Sequence, residues 1–346
     1  MKNAVRMYTI IVFVSLAAFQ TRAADHPTPS DLMDKYARAL DSLRSTIVKA
    51  EITSTHAGRF ARDFRDPAVR GLADRGTSYS RTELRTDGKR SHWREYSWGH
   101  ISSTFPSIPE EQAHYHCNNW DGEQLYSHVI AVNNPKSHGI AHLYKPPKNE
   151  EKGELSRKYP ASYLMGYNLE SDERMDSILR RAKSISVRQK TERISGSDCY
   201  VIDAKTDSGR IFLWIDPAHG YHLAKAEARL APGDLGPGRH RLSKGDRRTT
   251  RLENVRFKKV DDIWVPTEAD AYMDRHFGGR NHTTQKWHYK RTEVVVNPDH
   301  EALGSFDNPI ENPENDPELK NGADVYIHGD QTRYIWQDGK LIPDKR

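Results

Sequence analysis

Residues Arg210–Leu230 read RIFLWIDPAHGYHLAKAEARL, and this stretch decides the fold. Side chains on a strand alternate between faces. Ile211, Leu213 and Ile215 therefore share one face, and Phe212 and Trp214 share the other. Asp216, Pro217 and Gly220 mark a turn. The chain then returns with Ala224, Ala226 and Ala228 on one face and Lys225, Glu227 and Arg229 on the other. A strand apolar on both sides needs cover on both sides, or one side lines an apolar space. A facing row of alanines leaves volume that a helix or a guest must fill.

Working outward, the pattern is mainly β. Hairpins are expected over Thr82–Trp98, turning at Asp87-Gly88, and around Asp121-Gly122. Further strands read as Val48–Thr55, Ile185–Thr191, Cys199–Thr206, Arg210–Ile215, Leu223–Leu230, Leu252–Lys259, Trp264–Met273 and Thr283–Val296. Short turns join most of them, which predicts an antiparallel meander. Two helices stand out. Thr28, Pro29 and Asp31 form a start signal, and Leu32, Tyr36, Leu40, Leu43 and Ile47 fall at spacings of three and four. The second helix is expected over Asp172–Ala182. Two helices are little cover for so much strand, so a curved antiparallel sheet wrapped around the early helix is expected. The class is α+β, mainly β.

The chain has 346 residues, 36% hydrophobic and 29% charged, with a formal net charge of +5. It is long enough to bury a sizeable core. Lys2 and Arg6 precede an apolar run, Met7–Phe19, followed by Ala23 and Ala24. That reads as an export signal over 1–23 rather than a permanent membrane span, because the run is short. Residues 24–296 then make one domain. Residues 297–346 read as an Asn-, Pro- and Glu-rich linker and a C-terminal extension with a possible hairpin over Val325–Ile342.

Two segments, CYVIDAKTDSGRIFLWIDPAHGYHLAKAEARL (Cys199–Leu230) and ENVRFKKVDDIWVPTEADAYM (Glu253–Met273), resemble the outer-membrane lipoprotein-sorting family. Its LolA/LolB-like fold also occurs in the RseB sensor domain. The shared features are the LWIDP…G strand-turn, the charged strand after it, and DDIWVPTEA at Asp261–Ala269. The resemblance implies a half-open β-barrel closed by helices over a cavity that takes acyl chains. It also implies a periplasmic setting and a lipid or lipidated protein segment as ligand. Burying each methylene gains about 0.8 kcal/mol, so one chain would bind without directional chemistry. Leu40, Leu43, Phe212, Trp214 and Trp264 are the candidate lining residues, each of which also reads as ordinary core.

Other chemistry is sparse. Cys117 and Cys199 form either a disulfide or two unbridged structural thiols. His114 and His116 could point one way beside Cys117, with His219 or His222 as further ligands, but no metal-ligand motif accompanies them, and no metal or cofactor is expected. No nucleophile elbow or phosphate loop appears, so a carbohydrate-active hydrolase is the minority reading. Arg239, Arg241, Lys244, Arg247, Arg248 and Arg251 read as a basic loop, either solvated or meeting an acidic envelope partner. The loop lacks interleaved aromatics, which argues against nucleic acid. An alternative to lipid carriage is an envelope interaction or sensory module with a packed core.

Overall fold

A computed structural model describes residues 26–59, 73–100, 107–131, 138–144, 173–236, 240–278 and 281–344. The expected signal at 1–23 and Arg239 lie outside these residues.

Helix α1 (Pro29–Asp41) begins at the expected box: the Thr28 hydroxyl accepts from the Asp31 N–H, and the Thr28 N–H donates to the Asp31 carboxylate. Leu32, Met33, Tyr36, Ala39 and Leu40 are buried along one stripe. A helix of 13 residues is marginal alone, so its stability rests on that stripe. Helix α2 (Met175–Arg180) is shorter than expected and packs Met175, Ile178 and Leu179 into the same core as α1. Arg174 ties the two helices, pairing with Asp41 at 2.6 Å and Asp176 at 3.0 Å.

The strands are β1 (Thr46–Arg59), β2 (Ala73–Thr86), β3 (Ser91–Gly99), β4 (His114–Trp120), β5 (Leu125–Ile130) and β6 (Ile140–Tyr144) in the first half. After α2 come β7 (Ser184–Val187), β8 (Glu192–Ile194), β9 (Ser197–Thr206), β10 (Gly209–Asp216) and β11 (His222–Leu230). The long β12 (Asp246–Val260), β13 (Ile263–Phe277) and β14 (His282–Val296) follow, then β15 (Asp324–Ile327), β16 (Arg333–Gln337) and β17 (Lys340–Pro343).

Pairing places them in one open sheet, in the order β7-β9-β10-β11-β12-β13-β14-β1-β2-β3-β4-β5-β6-β15-β16-β17. The strand β8 lies beside β7 on the same edge of β9. The order does not close on itself, so the register defines an open sheet. The strands read as a meander pair antiparallel, and the sheet is mixed because β15 pairs with β6 in parallel. Parallel neighbours need a long crossover, and here the connection carries the whole of β7–β14.

Cross-strand partners share a face, and following them shows two cores on opposite faces. On the inner face, Ile211 lies opposite Ala228 and Leu213 opposite Ala226. The Ala226 row continues through Leu252, Ala271 and Trp287. These residues form one core with Leu32, Tyr36 and Leu40 of α1 and Leu179 of α2. The volume beneath the small alanines is thus occupied by helix side chains. Gly209 sets the β9–β10 turn at φ +88, where a Cβ would fall 2.2 Å from the Arg229 carbonyl oxygen. Lys35 of α1 reaches the next turn, donating to the Tyr221 hydroxyl at 3.2 Å.

Beyond β1 the core changes sides. Tyr115, Cys117, Tyr126 and Ala141 pack on the outer face with Leu319, Ala323, Val325 and Trp336. The segment read as a linker is therefore a cover for β3–β6. Its anchor is Asp316, which is 1% exposed. Its carboxylate accepts from Tyr115 at 2.8 Å and Tyr126 at 2.7 Å, and pairs with His128 Nδ1 at 2.8 Å. Asn119 adds a bond to the Phe306 carbonyl at 3.0 Å, and Arg85 one to Asn315 at 3.1 Å. The terminal hairpin β16–β17 turns through Asp338 and Gly339, both at positive φ, as a two-residue turn requires.

Candidate functional site

The outer face that α1 leaves uncovered on β12, β13, β14, β1 and β2 carries two polar rows. One runs Arg251, Tyr272, Lys286, Thr55, Thr77, and the next runs Thr249, Asp274, Thr284, Ala57, Arg75. They line an open groove of about 370 Å³. At its centre the Tyr272 ring is approached by Arg251 at 5.5 Å and Lys286 at 5.2 Å. Each such contact is worth about 0.5–1 kcal/mol when exposed and fixes the cation without neutralising it. Arg75, Arg251 and Lys286 stand against one carboxylate, Asp274, so the lining carries an excess of positive charge. Arg251 has Glu253 at 3.7 Å, which is a long and exposed pair. A second depression, about 250 Å³, is lined by Asp121, Glu301, Asp307 and Glu311 with Arg90, whose guanidinium is already paired with Asp87 and Glu301.

The residues expected to line one apolar cavity are not brought around a common space. Leu40 belongs to the inner core, and Leu43 is half-buried past the end of α1. Phe212 and Trp214 lie on the outer face with Cys199, Val201 and Ala224. Their roof is cationic: Arg188, Arg210 and Arg229 lie over Phe212, and Lys225 lies over Trp214. Trp214 Nε1 donates to Glu192 at 2.8 Å. This accounts for the charged half of β11, whose Lys225 and Arg229 shield the second apolar face of β10. Trp264 is half-buried against His219, with ring centroids 4.7 Å apart, and His219 in turn pairs with the buried Asp216 at 2.6 Å.

The cysteines are unbridged and sit in two separate clusters, Cys117 in the outer core and Cys199 under β8. Burial pushes both thiols up, Cys199 to about 12, so neither is a ready thiolate. The basic stretch is only partly a loop. Arg241 donates to the Gly233 carbonyl at 2.7 Å and Lys244 is exposed, but Arg247, Arg248 and Arg251 belong to β12. Alternation sends Arg248 inward, where it is buried with its guanidinium 3.1 Å from the Met273 sulfur. The same alternation sends Arg251 outward into the groove.

His114 and His116 fall on the opposite face from Cys117 of the same strand, and His222 is buried near the β10–β11 turn. Three groups do converge at the edge of the groove: Asp274, His276 and His282. Sequence reading misses them because Asp-x-His on one strand meets the third residue only once the β13–β14 register is known.

No protein-family model matches the chain, and no curated protein matches it. Among solved structures it is similar to a chain in the complex of Pseudomonas aeruginosa MucA and MucB, at 8% identity and a TM-score of 0.22, over 78% of this chain and 99% of that one. It is also similar to a chain in a crystal structure of MucB with MucA(peri), at 9% identity and a TM-score of 0.21, over the same shares. Likeness this weak carries no argument.

Proposed function

We propose that the chain is an exported, non-catalytic interaction module of the cell envelope that engages an anionic partner through the groove on the outer face of β12–β14, β1 and β2. The observation that supports this reading most is Arg251 and Lys286 against the Tyr272 ring in a groove that Arg75 also lines, with Asp274 as the one carboxylate among the described lining residues. The envelope setting rests on the signal-like N-terminus and the lipoprotein-sorting resemblance. A carrier of lipid or lipidated protein in a half-open barrel would use open volume beneath Ala226 and Ala228. The helices α1 and α2 fill that place, which favours the module with a packed core.

Titration with poly-L-glutamate at low and high salt tests the reading. Binding should weaken as salt rises, because exposed charges are screened. The double variant R251E/K286E should bind at least tenfold more weakly with its fold intact. Salt-independent binding, or equal affinity in the charge-reversed variant, would contradict it.

A further inference from the structure

We propose that Asp274, His276 and His282 bind a divalent transition-metal ion of the zinc type. The proposal stands independently of the anion-binding reading. His276 and His282 are direct cross-strand partners at the end of the β13–β14 hairpin. Their rings stack at 4.4 Å with 24° between planes. Asp274 precedes His276 by two residues, so strand alternation puts it on the same face. Both imidazole Nε2 atoms converge on one carboxylate oxygen, Asp274 Oδ1, at 3.0 Å from His276 and 3.2 Å from His282. All three ligand atoms lie within 4.8 Å of one another.

Those separations match what an ion would impose. Tetrahedral zinc with bonds of about 2.0–2.1 Å sets its ligand atoms about 3.3 Å apart. The two carboxylate–imidazole edges, 3.0 and 3.2 Å, come close to that length. The imidazole–imidazole edge is no longer than 4.8 Å, and both rings are partly exposed, at 32% and 40%. Two imidazoles and a carboxylate are a zinc donor set that leaves a fourth position open. Asp274 also lines the groove, which sets the three groups at the groove's edge. Arg247 is the cross-strand neighbour of His276 on β12. Its charge opposes a cation and lowers the affinity below that of a four-ligand structural site.

The test is calorimetric titration of the untagged full chain with zinc chloride at neutral pH, repeated with cobalt to record its visible ligand-field bands. One saturable equivalent is expected. H276A and H282A should each bind at least tenfold more weakly and lose the cobalt bands, and D274N should also weaken binding. Thermal unfolding in chelator checks that each variant folds, with H282Q replacing H282A if it does not. The proposal is overturned if the parent shows no saturable equivalent, or if the variants bind zinc as tightly as the parent.

Discussion

Replacing Asp316 by Ala should loosen one half of the sheet and spare the other. The substitution removes the acceptor on which Tyr115, Tyr126 and His128 converge. All four side chains are buried. A buried donor left without a partner costs about 1–3 kcal/mol. Three such donors set an upper range of roughly 3–9 kcal/mol, and water entering the vacated polar space recovers part of it. The expected loss is therefore about 3–5 kcal/mol, a large fraction of the roughly 5–15 kcal/mol that holds a typical domain together. The damage should be local first, because these bonds fasten the 297–323 segment onto β4 and β5. Urea unfolding followed by tryptophan fluorescence gives the magnitude, and hydrogen exchange gives the location. Amides in 297–344 should exchange faster, while β9–β14 stay protected. D316N keeps a carbonyl acceptor and should cost less. A D316A variant within 1 kcal/mol of the parent would refute the reasoning, on the order of one lost donor at most. So would equal deprotection of both halves.

Acid should destabilise the protein in two windows. Burial pushes His92 and His222 down to about 4, helped by Arg85 and Arg94 near the first and Arg291 near the second. Unfolded histidine titrates near 6.5, so their contribution is complete above that pH and is lost as pH falls through about 4, on the order of 3 kcal/mol apiece. Burial alone would raise the Asp316 carboxyl, but bonds from His128, Tyr126 and Tyr115 outweigh it and hold it below the carboxylate range. Its contribution is present above about pH 3.9 and disappears as pH falls through the lower folded value. Urea midpoints measured from pH 7 to 3 check both windows, and a flat profile from 7 to 4.5 would contradict the histidine assignment. Ala226→Leu should destabilise by about 1–3 kcal/mol, because the space it faces is occupied. Unchanged or raised stability would mean open volume there.

Much of the fold is legible where the signals are local. The α1 start box, the turns at Asp87-Gly88 and Asp121-Gly122, and the paired strands β10 and β11 follow from neighbouring residues. The illegible parts depend on distant partners. The strand β12 starts at Asp246, inside a run of cations, because inward Arg248 finds Met273 on the next strand. Phe212 and Trp214 read as cavity lining because part of their cover, Arg188 and Ile194 of β8, comes from outside the hairpin, while Arg210, Arg229 and Lys225 supply the rest. Residues 297–323 have a linker's composition, and tertiary contacts such as those of Asn315 and Asp316 with β2, β4 and β5 reveal a cover. The groove draws two or three residues from each of five strands, so no local motif announces it. Of the basic stretch, Arg251 is the residue whose outward position on β12 carries it into that groove.

Hydrogen-exchange mapping of the full chain with and without poly-L-glutamate tests the central claim most directly. Slower exchange is expected around Arg251, Tyr272 and Lys286, with α1 and β10–β11 unchanged. No protection on those strands, or a response centred on α1 and Ala224–Ala228, would contradict it.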